Sequence, residues 1–280
     1  MFPQSPASNP RRQIIGWLCI LSIVLFYAAL YTLNYLLPLD GTDYTSRIWN
    51  WSQIALTVGA LLTLLWHRRS ITFQPVLLGL VLAVLSALSH WLHDPSLSWS
   101  LQEGLAVWAC FLAALVLFKP QEVFSVPAFQ PPLGKITTSL VLGVILAIPL
   151  ALINNLYFYL NTGAVHFQNL IYSAFEALSP AIHEEIIFRF FVLAFSLSLL
   201  RYSPHRRLVM LTAICLAVIP HSLNHLPDLF LEAPTMAVTL LVLTSILFGL
   251  PMAVLQIKRN LETAISFHWF IDFARFLFGF

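Results

Sequence analysis

The sequence predicts an all-α protein, a polytopic bundle of about eight to nine transmembrane helices with its N-terminus in the cytoplasm. Three observations carry that prediction. The chain is 59% hydrophobic and only 9% charged, against about 45–50% apolar and 25% charged in soluble domains. Its apolar residues fall into nine runs, most of them close to the ~20 residues needed to cross the hydrocarbon core. The basic residues between runs gather in alternate loops, which the positive-inside rule assigns to the cytoplasm. A net charge of +2 with a pI near 8.5 is too mild for a nucleic-acid binder. The expected partners are the membrane and whatever enters it.

The first dozen residues end in Arg11-Arg12 and read as a short cytoplasmic lead. Ile14 to Leu37 follows without a small-x-small cleavage site, so it is read as a retained helix. Further apolar runs cover Ile48–Trp66, Pro75–His93, Leu101–Phe118, Ile136–Leu160, Leu170–Leu200, Leu208–His225, Thr235–Leu255 and Leu261–Phe280. Arg68, Arg69, Lys119, Lys135, Arg201, Arg206, Arg207, Lys258 and Arg259 occupy the loops on the N-terminal side of the membrane. The opposite loops carry Asp40, Asp43, Asp94, Asp228 and Glu232, with Arg47 as the exception. Cys19, Cys110 and Cys215 each lie in a different run without CxxC spacing, which argues against a disulfide framework or cysteine metal site.

Residues 119–135 hold Pro120, Pro127, Pro131 and Pro132, too many prolines for a continued helix. They divide the chain into an N-terminal set of helices, 1–118, of unassigned role and a C-terminal unit, 136–280. The first four runs carry few interior polar groups besides Glu103 and His90. Nearly all the others lie in the C-terminal unit, so the chemistry is expected there.

Three stretches concentrate that chemistry. Within Leu170–Leu200 stands Pro180-Ala-Ile-His-Glu-Glu-Ile-Ile-Phe-Arg189. A charge at the bilayer centre costs roughly 2.5–3.5 kcal/mol on insertion-based scales, which makes such residues functional candidates. On a helix Glu185 and Arg189 stand at i and i+4 and can pair, while Glu184 points about 100° away. One acid is thus expected to be held and the other free. Pro180 should bend the helix about one turn before Glu184. The second stretch is Pro220-His-Ser-Leu-Asn-His225, with His221 and His225 on one face. The third is His268-Trp-Phe-Ile-Asp272, again a pair one turn apart. A histidine in a membrane helix often only staples neighbouring helices, and with Ile187 in place of histidine the HExxH zinc-protease pattern fails after His183. The combination is more informative. Glutamate, histidines and an acid or amide on three helices can activate a water and stabilise an oxyanion.

Glu184-Glu185-x-x-x-Arg189 matches the EExxxR motif of the CPBP (CAAX protease and bacteriocin-processing, Abi) intramembrane proteases. His268-x-x-x-Asp272 resembles that family's HxxxN/D motif, and Lys258-Arg259-Asn260-Leu261 resembles the basic turn preceding it. The resemblance covers about Leu170 to Asp272. The middle motif, usually FxxxH, departs from the pattern: Ala217 stands four before His221, and His221 four before His225. His221 is favoured because Asn224 follows three residues later, with His225 as the alternative.

The resemblance implies an intramembrane endopeptidase. Glu184 with His221 would activate the water, His268 and Asp272 would face the oxyanion, and Glu185 with Arg189 would brace the site. Because an ionised Asp272 repels an oxyanion, it must be protonated, orient His268, or bind a metal. The family has been described both as glutamate-dependent and as metal-dependent. No cofactor is the first expectation, and zinc on Glu184, His221 and His268 is the other. Relatives process prenylated proteins, bacteriocins or signalling peptides, so the substrate is left open beyond a peptide or protein entering the bilayer. The alternative from another class is a non-catalytic transporter or immunity-type binding protein using the same polar cluster. Short loops favour a prokaryotic inner membrane.

Overall fold

A computed structural model describes residues 9–39, 41–118 and 133–280. Asp40, Lys119 and the linker prolines Pro120, Pro127, Pro131 and Pro132 lie outside those residues. Of the expected linker, only Leu133–Lys135 is described, and it already forms the first turn of a helix. Helices cover most of the apolar runs, and the described residues contain no strand. The N-terminal set comprises α1 (Pro10–Leu36), α2 (Tyr44–Trp66), α3 (Phe73–His93) and α4 (Leu97–Phe118). The C-terminal unit begins with α5 (Leu133–Thr162). The sixth run is broken into α6 (Leu170–Glu176), α7 (Leu178–Glu184), a π-helical segment (Glu185–Phe191) and α8 (Val192–Leu199). After α9 (Arg206–Asn224) and the short α10 (Pro227–Glu232), the eighth run is α11 (Pro234–Thr244), a π segment (Ser245–Gly249) and α12 (Leu250–Lys258), and α13 (Leu261–Leu277) closes the chain.

Seven helical stretches among the described residues are long and apolar enough to cross a membrane. The two other expected spans differ for physical reasons. Leu170–Leu200 is interrupted, and α13 is only 17 residues long. The chain is an integral membrane protein. Its outward apolar side chains, such as Leu18, Leu62, Phe73, Ile145 and Leu152, are exposed, which costs nothing where the solvent is lipid tail. The core instead surrounds α4, 67% of whose span is buried, packed against α2, α3, α8 and the π segment of the sixth run. α13 packs along α5, where Gly143 permits close approach: a Cβ there would collide with Ser266 Oγ and the Thr263 carbonyl.

Contacts between loops respect the expected alternation. Arg12 reaches the Tyr202 hydroxyl at 2.8 Å on one side. On the other, Asp228 accepts from the backbone N–H of Thr45 at 3.0 Å and its hydroxyl at 2.6 Å, and the His166 and Gln168 amides bond to Phe278 and Leu277 carbonyls. Arg47, the cation on the acidic side, donates to the Asn34, Leu37 and Pro38 carbonyls. These end α1, and a guanidinium there also meets the negative end of the helix dipole.

Candidate active site

The break in the sixth run sets the direction of α7 and hence of Glu184. Pro180 has no N–H for the carbonyl four residues back and its ring crowds that turn, so the bend falls at Ala177, ahead of the expected position. Pro180 then sits in the first turn of α7, where its missing donor costs least. Ser89 of α3 repairs the break. Its hydroxyl lies 2.6 Å from the Phe175 carbonyl and 3.2 Å from that of Glu176, and accepts from the Ser179 N–H at 2.8 Å. Ser179 in turn donates to Glu103 Oε1 at 2.8 Å. Glu103 also accepts from Ser86 and meets His90 Nδ1 at 3.0 Å. The few polar residues noted in the first four helices thus tie down the start of α7.

At the other end of α7 the two adjacent glutamates part. Glu185 is fully buried. Its Oε1 accepts from Arg189 and, at 2.8 Å, from His268 Nδ1. Its Oε2 and its backbone carbonyl accept from Gln256 Nε2 at 3.2 and 3.0 Å. Glu184 keeps a side-chain exposure of 12% and meets His221 Nε2 at 2.6 Å through Oε2. Its Oε1 accepts no hydrogen bond among the described residues. The expected division between a held acid and a free one is present.

Hydrogen-bond logic fixes the histidines. Arg189 Nη2 lies 3.2 Å from His221 Nδ1, and a guanidinium only donates. His221 Nδ1 therefore accepts, and the ring proton sits on Nε2, donating to Glu184. His268 has carboxylate oxygens at both nitrogens: Glu185 Oε1 at Nδ1, and at Nε2 both Asp272 Oδ2 at 3.2 Å and Glu184 Oε2 at 3.6 Å. A doubly protonated ring satisfies both sides. Asp272 also meets Arg275 Nη2 at 3.4 Å. The cluster then holds three carboxylates (Glu184, Glu185, Asp272) and three cations (Arg189, Arg275, His268), balanced in a medium that penalises net charge.

His225 caps α9 and does not bond to Glu184. Its ring stands edge-on to His221, centroids 5.1 Å apart, and to Trp49 at 4.8 Å. One ligand atom each from Glu184, His221 and His225 nonetheless lies within 4.8 Å of the others, while both nitrogens of His268 face carboxylates. Asn224 turns away toward Tyr27 at 2.8 Å and Ser52 at 3.4 Å. Two contributors have no motif. Gln256 comes from α12, and Trp49 of α2 also packs on Phe188 and His221. Tyr27, Tyr31 and Tyr35, one turn apart on α1, bond to the Pro220, Leu223 and Pro227 carbonyls at 2.9, 3.1 and 3.0 Å, anchoring the end of α9 that carries His221.

Residues 166–274 match the family model described as type II CAAX prenyl endopeptidase Rce1-like, a stretch that spans these C-terminal site residues except Arg275. Neither a curated protein nor a solved structure gives a significant match. This C-terminal region, less than half of the chain, is thus similar to the CAAX prenyl endopeptidases.

Proposed function

We propose that the chain is an intramembrane endopeptidase hydrolysing a peptide bond in a membrane-associated peptide or protein, with Glu184 as general base. The observation that carries this reading is the unequal treatment of adjacent carboxylates. Glu185 spends both oxygens on Arg189, His268 and Gln256, whereas Glu184 retains an oxygen and some exposure. A base must reach water and have a lone pair to receive its proton.

In this reading Glu184 Oε1 takes the proton of a water attacking the peptide carbonyl, and returns it to the amine nitrogen as the C–N bond breaks. His221 accepts from Arg189 at Nδ1 and donates from Nε2 to Glu184, which stabilises the carboxylate. The Nε2–H of His268, which meets Asp272 Oδ2 at 3.2 Å and Glu184 Oε2 at 3.6 Å, is the donor that turns to the developing oxyanion. Asp272 then orients His268 rather than meeting the oxyanion, and Arg275 offsets its charge. Zinc is the alternative, with Glu184, His221 and His225 as its holders, and it would require His221 Nε2 to give up the proton that it donates to Glu184. Zinc would supply a more acidic water and a polarised carbonyl, and chelation followed by metal repletion distinguishes it from the metal-free route. We take 136–280 as the catalytic unit and 1–118 as the brace that aims α7 and α9, in a prokaryotic inner membrane. The family's name points to substrates cut near a lipidated C-terminus, and no residue here demands the lipid.

The reading is tested by profiling peptide termini of membrane and secreted proteins in the native host, wild type against Glu184→Gln at equal expression. A terminus present only with wild type supports proteolysis and names the substrate. Identical profiles with a retained cellular phenotype would replace it with binding or transport.

A further inference from the structure

Two cavities lie away from the carboxylate cluster, on the side of the membrane that holds Arg12 and Arg201. One, of about 290 Å³, is lined by Arg12, Arg201, Tyr202 and His67, with Ile15 and Cys19 toward the membrane interior. The other, of about 510 Å³, is lined by the stretch Leu65–Ser70, including Arg68 and Arg69. The two share Trp66 and His67. No acidic side chain lines either one among the described residues. Arg12 and Arg201 lie over the Tyr202 ring at 5.1 and 4.9 Å. Burial would raise the Tyr202 hydroxyl pKa, yet the Arg12 hydrogen bond and the Arg201 charge bring it below the ordinary value. Four guanidinium groups thus surround a paired hollow without a counter-charge.

The apolar side of this hollow continues into lipid. Ile14, Ile15, Leu18 and Leu21 of α1 are exposed beside it, and Trp66 is 86% exposed at the end of α2, at the level where indoles favour the interface. A free anion would use the guanidinium groups alone. A phospholipid uses both the charges and the apolar flank.

We propose that the hollow between the ends of α1, α2 and α8 is a binding site for one anionic phospholipid, its phosphate between Arg12 and Arg201 and its acyl chains along α1. Basic pockets between helices on the cytoplasmic side hold anionic headgroups by this combination of charge and apolar contact. The bland account of these arginines is topology alone, and it predicts no preference among basic residues on that face.

The test uses the full chain purified in neutral detergent, with native mass spectrometry and the thermal unfolding midpoint as readouts. Phosphatidylglycerol should remain bound at one per chain and raise the midpoint, and phosphatidylcholine should do neither. Arg12→Gln with Arg201→Gln should weaken binding by roughly fivefold for each arginine lost. Lys258→Gln with Arg259→Gln, on the same face but outside the cavities, should leave it unchanged. If the double variant fails to fold, Arg201→Gln and Trp66→Ala taken singly carry the same expectation. Equal retention of both lipids, or equal weakening by the Lys258 and Arg259 changes, would overturn the site. Inorganic phosphate reproducing the full shift would overturn the lipid in favour of a free anion.

Discussion

Glu103 and Glu184 stand at the two ends of α7, both largely buried and both beside a histidine, yet they are held differently. Glu103, with a side-chain exposure of 7%, shares its oxygens among Ser86, Ser179 and His90. Glu184 has His221 and one unclaimed oxygen. The first belongs to the N-terminal helices and the second to the region that matches the protease family. The difference teaches that burial of a carboxylate in a membrane is not the mark of catalysis. A saturated carboxylate ties helices together, and only an unsaturated one can take a proton.

The sharpest way to break the comparison is to neutralise each acid. Glu184→Gln should lower the cleavage rate by about 10²–10⁴, the usual worth of a general base, with little change in melting temperature. Arg189→Gln should act through the fold instead, because it leaves Glu185 buried and partly unpaired, at a cost of about 3–5 kcal/mol, read by denaturation in mild detergent. Glu103→Gln should cost about 1–3 kcal/mol from hydrogen bonds lost or misdirected. The turnover of the folded fraction should stay close to wild type. The smallest effect is the most diagnostic for the third cation. Arg275→Gln should slow cleavage about two- to fivefold, the scale of a partly exposed ion pair. That loss should vanish in an Asp272→Asn background, where no charge is left to offset.

Much of this site was legible in the sequence because its parts repeat at helical spacing. Glu185 with Arg189 and His268 with Asp272 stand one turn apart, and these pairs meet in the structure. The offset of Glu184 from that face followed from the helix alone. His221, chosen over His225 from motif context, is the histidine that contacts Glu184. The bend was expected from Pro180 but falls at Ala177, because a proline acts on the turn before it. The π segment across Glu185–Phe191 has no spacing signature. Gln256, Trp49, Ser89 and Tyr27 could not be found, since each reaches the site from a distant helix and a lone glutamine, tryptophan or serine in an apolar run reads as packing. Tertiary contact, not periodicity, recruits them.

The central claim is that Glu184 takes the proton and Glu103 does not. Its most direct test is the cleavage rate of the reconstituted chain on the substrate named by terminus profiling, for Glu184→Gln and Glu103→Gln side by side, each normalised to its folded fraction. The account predicts a folded, inactive Glu184→Gln and a less stable Glu103→Gln with turnover near wild type. Cleavage by Glu184→Gln at the wild-type rate would contradict it.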